Sequence, residues 1–146
     1  MKRYATYKEV CEEIKKVFAA KGYKNNRMNF TYDMKEYLLV VSFYKSRWGG
    51  EMYGDLGLFF YEMHPNGLEH NTAPWSDFQH RIFDTKYDSD VDIEIMREKL
   101  LNSLKICDDI VEKGAWKLFK ENELRRGMYS RETVSFIYEK TGVKLQ

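Results

Sequence analysis

The chain has 146 residues, a common size for one domain and enough to bury a sizeable core. Hydrophobic residues make up 43%, charged residues 32% and aromatic residues 16%, with nine glycines and two prolines, which excludes collagen-like, linker-dominated and disordered chains. The net charge of +1 argues against a protein that coats nucleic acid. The charge is nevertheless uneven: residues 1–50 carry +6, residues 51–92 carry −7 and residues 93–146 carry +2.

In chain order, Thr6-Tyr7-Lys8-Glu9 reads as a capping box, and Tyr7, Val10, Cys11, Ile14, Val17 and Phe18 follow on one helical stripe. Gly22 supplies the left-handed stop. Asn25-Asn26 is a turn signal, and Met28–Tyr32 alternates as a strand does. A second strand is expected at Tyr37–Tyr44, rich in β-branched and aromatic residues. After a loop at Lys45–Glu51, a third strand lies within Met52–Met63, where Gly54 and Gly57 mark a bulge or a close backbone approach. Short connections make these strands antiparallel neighbours.

The stretch from His64 to Asp77 carries turn chemistry in Pro65-Asn66-Gly67 and Thr72-Ala73-Pro74. Phe78–Phe83 is expected as a fourth strand and 84–90 as a polar loop. Ser89-Asp90-Val91-Asp92 reads as a cap, opening a long helix from Val91 to Lys113 with Ile93, Met96, Leu100, Leu104, Cys107 and Val111 on one face. Gly114 ends it, a shorter helix covers Ala115–Asn122, and a last one opens at Tyr129 or Ser130, with Val134, Ile137 and Tyr138 on its inner face and Gly142 as terminator. Strands therefore follow one helix and precede several. That order predicts a single α+β domain over 1–146, with the N-terminal helix in 1–24, the sheet in 25–84 and C-terminal helices in 85–146. The expected architecture is an antiparallel sheet of three to five strands with both sets of helices packed mainly on one face.

Cys11 and Cys107 fall at apolar helix positions and have no CxxC spacing, so they read as buried free thiols, not as a disulfide or zinc framework. Met1-Lys2-Arg3-Tyr4 has no apolar stretch behind it, and no apolar run is long enough to span a bilayer. A cytoplasmic location with no membrane contact is expected.

His64, Glu69, His70, Asp77 and His80 share a loop-rich region with metal-ligand side chains, but their spacings match no ligand motif, and surface histidines near turns are the simpler explanation. Asp88-Ser89-Asp90-Val91-Asp92 imitates the first half of a calcium loop, yet Ile93 and Lys99 stand where glycine and glutamate are needed. No phosphate-cradling glycine loop and no nucleophile elbow is present. The remaining cluster is Tyr44, Lys45, Ser46, Arg47 and Trp48, where two cations sit beside two rings at the end of an apolar strand, a composition suited to holding a carboxylate, a phosphate or a ring. The plainer alternative has Lys45 and Arg47 alternating outward while Trp48 plugs the edge of the core. Trp75 and Trp116 read as exposed rings packed on neighbouring stems.

The same segment carries a resemblance. Val41-Ser42-Phe43-Tyr44-Lys45-Ser46-Arg47-Trp48, then Tyr53-Gly54-Asp55-Leu56-Gly57-Leu58-Phe59, with Gly22-Tyr23 after the leading helix, resembles the bacterial domain-of-unknown-function family 4304 over about residues 8–110. Ser42, Tyr44 and Asp55 stand where the family's usual residues are Asn, Gln and Asn. The resemblance implies a bacterial, cytoplasmic α+β domain and brings no activity, catalytic residue or cofactor.

Taken together, the residues favour a non-catalytic protein-binding or accessory, immunity-like domain that uses Tyr44, Lys45, Ser46, Arg47 and Trp48, with no catalytic residue, metal or cofactor assigned. Tyr, Trp and Arg are the residue types that dominate interfaces. The partner expected is another protein, with homodimerisation through a sheet edge left open. The alternatives are a nucleic-acid or nucleotide-binding module at the Lys45–Trp48 edge and a metal-dependent hydrolase in the His64–His80 region.

Overall fold

The structure, a computed structural model, describes residues 5–87, 92–124 and 126–145. Helix α1 spans Tyr7–Ala20 and starts as its sequence dictates: the Thr6 hydroxyl accepts the Glu9 backbone N–H at 3.1 Å, and the Glu9 carboxylate reaches back to the Thr6 N–H at 3.4 Å. Its stripe buries Val10, Cys11, Ile14 and Phe18.

Six strands follow among the described residues: β1 Lys24–Asn26, β2 Asn29–Asp33, β3 Tyr37–Lys45, β4 Glu51–Phe60, β5 Phe78–Lys86 and β6 Met128–Tyr129. They form one sheet in the order β1-β2-β3-β4-β5-β6, with every neighbouring pair antiparallel. The three to five strands expected from sequence are thus too few. Lys24–Asn26 and Met128–Tyr129 carry no apolar alternation to betray them, because both are short edge strands. Asn25-Asn26 pairs in β1, and the turn falls at the next two positions, where Arg27 takes a positive φ of 58°.

Alternation along β3 sends Tyr37, Leu39, Val41 and Phe43 to one face and Leu38, Val40, Ser42 and Tyr44 to the other. The first face meets Met52, Leu56, Leu58 and Phe60 of β4 and Phe78 and Phe83 of β5 in one core. Onto that core pack α1, α2 (Ile93–Ser103), α3 (Lys105–Lys113), α4 (Ala115–Lys120) and α5 (Arg131–Thr141). Gly54 makes room on this face: a Cβ there would lie 2.6 Å from the Phe43 ring.

The second face is only half covered. Residues 61–77 return across β3 and β4 through two 3-10 turns, Tyr61–Met63 and Ala73–Trp75. They bury Val40, Phe59 and Ala73 as a set separate from the main core. The Ala73 N–H donates to the Ser42 hydroxyl at 2.9 Å. A Cβ at Gly57 would come within 2.9 Å of the Ala73 backbone, so this glycine is what lets the strap lie flat on the sheet. Helical elements therefore occupy both sides of the sheet, not mainly one. The reason is β3 itself, whose middle is apolar on both faces.

Two further expectations change. The single helix over Val91–Lys113 is two helices, broken at the fully buried Leu104. No glycine or proline marks that break, so packing overrides a continuous helical period. Of the proposed cap, Ser89 to Val91 lie outside the described residues, while the Asp92 carboxylate does accept the Glu94 N–H at 2.7 Å. In α5, Ser130 caps the start and Gly142 the end, but Tyr138 is 56% exposed, and Thr133, Phe136 and Ile137 face inward. Trp116 is no surface ring: it packs among Tyr37, Phe60, Phe119 and Phe136.

Candidate functional site

The β3–β4 hairpin splits the sequence-predicted site between two faces and a tip. Tyr44 lies on the half-open face, whereas the Lys45 ammonium turns to the other side and sits 4.0 Å above the Tyr7 ring. Burial, its bond to Cys11 and nearby groups push the Tyr7 phenol up to about 12, so it stays neutral beneath that cation. Ser46 closes the turn, its hydroxyl accepting the Trp48 N–H at 3.2 Å and its N–H donating to the Glu51 carbonyl at 2.8 Å. Gly49 and Gly50 follow at φ of 78° and 76°, left-handed geometry that two successive glycines adopt without strain. Trp48 then projects into solvent at 88% exposure and plugs no core edge. The guanidinium of Arg47 has no partner among the described residues. The five residues therefore do not converge on one pocket.

What does converge is a network on the open half of the second face, whose centre is Asp55. Its carboxylate, 1% exposed, accepts the Tyr44 hydroxyl, the Gln79 amide at 3.1 Å and the Arg81 Nε–H at 3.0 Å. Arg81 Nη2 donates to the Tyr44 oxygen at 2.7 Å, closing a ring of bonds. The guanidinium also lies 4.3 Å from the centre of the Tyr53 ring, and Tyr53 donates to Glu51 at 2.8 Å. Burial, reinforced by the Asp55 bond, raises the Tyr44 phenol, and the Asp55 bond raises the Arg81 guanidinium, so both hold their protons. The result is a fixed surface of two rings and one cation with its remaining N–H donors turned outward.

Register assembles this surface. Tyr44 pairs with Tyr53 and Ser42 with Asp55 across β3 and β4, and Asp55 pairs with Arg81 across β4 and β5. A register shift between Gly54 and Asp55, the irregularity the glycines advertise, lies beside that pair. Sequence reading missed Tyr53 and Arg81 as partners of Tyr44, and Gln79 as a partner of Asp55. A period-2 count from Tyr44 across the hairpin would have found Tyr53 and Asp55; nothing local identifies Arg81.

The histidine region is separate and does not gather its candidates. His64 Nε2 lies 2.9 and 2.8 Å from the two Asp77 oxygens, and Asp77 also accepts the Phe60 N–H at 2.8 Å. His70 stacks on Trp75 with ring centres 4.4 Å apart. His80 pairs with Leu56 in the sheet, and burial lowers its imidazole. Among the described residues no group of three or more His, Cys, Asp or Glu is placed to hold a metal ion. A concavity of about 300 Å³ lies beside His64, lined also by Phe59, Leu68, Glu69, His70 and Trp75. Asp88 to Val91, the calcium-loop imitation, fall outside the described residues.

The fold is thus a six-stranded antiparallel meander with helices on both sides, and its most organised polar surface sits beside an exposed aromatic hairpin tip. The family model described as Domain of unknown function (DUF4304) matches residues 14–121, and the chain belongs to that family. No curated protein and no solved structure matches it. No helix among the described residues is long and apolar enough to cross a membrane.

Proposed function

We propose that this chain is a non-catalytic protein-interaction domain, an accessory or immunity-like module of the bacterial cytoplasm, whose contact surface is the hairpin end of the sheet. The observation that carries this reading is Trp48, held 88% exposed on a Gly-Gly hairpin next to the locked Tyr44–Arg81–Tyr53 surface. Aromatic and arginine side chains fixed before binding, as Tyr53 and Arg81 are, lose little entropy on contact, and exposed Trp, Tyr and Arg are the residue types of interface hot spots. Two buried free cysteines suit a reducing compartment.

The same geometry ranks nucleic acid lower. Lys45 faces away from the Tyr44 and Tyr53 rings, and the ring-bearing face carries the Glu51 carboxylate, which opposes a phosphate chain. The test is affinity capture from the native cell with the wild-type chain and with a Tyr53→Ala, Arg81→Ala double variant. A polypeptide retained in stoichiometric amount by the first and lost from the second supports the reading. Recovery of chaperones alone, or equal recovery by both, overturns it.

A further inference from the structure

The second face of the sheet has two unlike halves, and each offers what the other lacks. At the hairpin end, the side chains of Arg47 and Trp48 have no partner among the described residues. At the far end lies the strap, residues 61–77, which contains no Lys or Arg and carries Glu62, Glu69 and Asp77. Glu62 is held by Lys140 and Asp77 by His64, but Glu69 has no partner among the described residues.

Glu69 lies on the wall of the concavity beside His64. Phe59, Leu68 and the stacked His70–Trp75 pair give it an apolar and aromatic wall, while Asn66 and His64 add polar groups. At about 300 Å³ it suits one bicyclic side chain. Its polar anchor is specific. In the neutral imidazole the proton that meets the Asp77 carboxylate sits on Nε2, which leaves Nδ1 an acceptor, and Nδ1 has no hydrogen bond to the described residues. Indole is the converse group, a large apolar ring with one N–H donor and no acceptor.

We infer that the occupant of this concavity is Trp48 of a second copy of the chain, with Arg47 beside it paired to Glu69. The inference rests on the reading of the hairpin end as an interaction surface and names its partner. The two sites sit at opposite ends of β4, whose ten residues span roughly 30 Å. A two-fold axis across the strands through the middle of the face carries each tip onto the other copy's concavity, so both insertions form together in a closed dimer. It also lays the strap of each copy over the open Tyr44–Tyr53–Arg81 half of the other. Two buried indoles alone supply about 500 Å², well below a standard interface of about 1,600 Å², so the strap contact is needed for a stable pair.

The experiment is sedimentation equilibrium on the purified full chain over roughly three decades of concentration around the micromolar range. The expected result is a monomer–dimer equilibrium that stops at two. Trp48→Ala, at an exposed site where folding is unaffected, weakens it at least about tenfold. Arg47→Glu and Glu69→Arg each weaken it, and the two reversals combined restore it to near the wild-type value. A chain that stays monomeric throughout, that polymerises beyond two, or whose double reversal is no better than the singles overturns the dimer. Failure here is separable from failure of the interaction reading: a monomer that still retains a different protein through Tyr53 and Arg81 keeps the function and loses only the second copy.

Discussion

Arg81 on β5 donates its Nε–H to the Asp55 carboxylate on β4 at 3.0 Å, joining a side chain half in water to one that is 1% exposed. Such an asymmetric pair has asymmetric consequences. Removing the buried acceptor strands the donors aimed at it, whereas removing the exposed donor leaves Asp55 with Tyr44 and Gln79. Asp55→Ala is expected to cost about 2–4 kcal/mol, the range for breaking a buried hydrogen-bonded charge. Arg81→Ala is expected to cost less, about 1–2 kcal/mol, because the buried Asp55 carboxylate loses its cation but keeps its Tyr44 and Gln79 hydrogen bonds. Urea unfolding of both variants measures this; an equal loss, or a larger one for Arg81→Ala, contradicts the assignment of Asp55 as the hub.

The strap depends on one missing methyl group. Gly57→Ala puts a Cβ within 2.9 Å of the Ala73 backbone, a contact that no rotamer change relieves. Overpacking of this kind costs about 1–3 kcal/mol. Ser42→Ala acts from the other side by taking the acceptor from the buried Ala73 N–H, at about 1–2 kcal/mol. Both variants are expected to lift residues 61–77 before the rest of the sheet opens. Limited proteolysis should then nick within 64–72 faster than in the wild type, while cleavage elsewhere stays unchanged.

Much of this architecture is legible in the chain because local signals and packing agree. The capping box and stripe of α1, the antiparallel order of β2 to β4 and the Ser130 and Gly142 boundaries of α5 all follow from neighbours a few residues apart. What escapes is set by residues far apart in sequence. Leu104 divides a helix whose apolar period runs straight through it. The three residues of β1 are strand only because β2 offers a ladder. The site shows the same limit. Tyr44 is visible as a ring beside cations, but the cation that engages it is Arg81, 37 residues away, while its chain neighbour Lys45 faces the opposite side by simple alternation.

Thiol chemistry gives a direct check on the core. Cys107 is buried on the inner face of α3, and burial, followed by the nearby Asp108 charge, pushes its thiol well above the ordinary range. Cys11 is buried on the inner stripe of α1. The reactive species is the thiolate, so a thiol-specific reagent at neutral pH should label neither group in the native protein and both after denaturation. Rapid native labelling of Cys107 would place α3 away from the sheet. Cys107→Ala should cost little beyond the lost packing, whereas Cys107→Ser buries a hydroxyl and should cost more.

Acid stability has two components at different pH. His80 is depressed below its ordinary value of 6.5, chiefly by burial, with Arg126 acting in the same direction and Asp55 opposing. The unfolded chain therefore takes up a proton at His80 before the folded one does. The stability this provides is full above pH 6.5 and is lost as pH falls through the lowered folded value. Glu13 follows at more acid pH: the hydrogen bond from Arg97 lowers its carboxyl, so its contribution is present above the ordinary carboxylate range and is lost only on further acidification. Urea midpoints measured downward from pH 7.5 should fall first in the His80 window and again in the Glu13 window. His80→Gln should remove the first decline and keep the second, and Glu13→Gln should do the reverse. A first decline that survives His80→Gln would show that this imidazole titrates alike in the folded and unfolded chain.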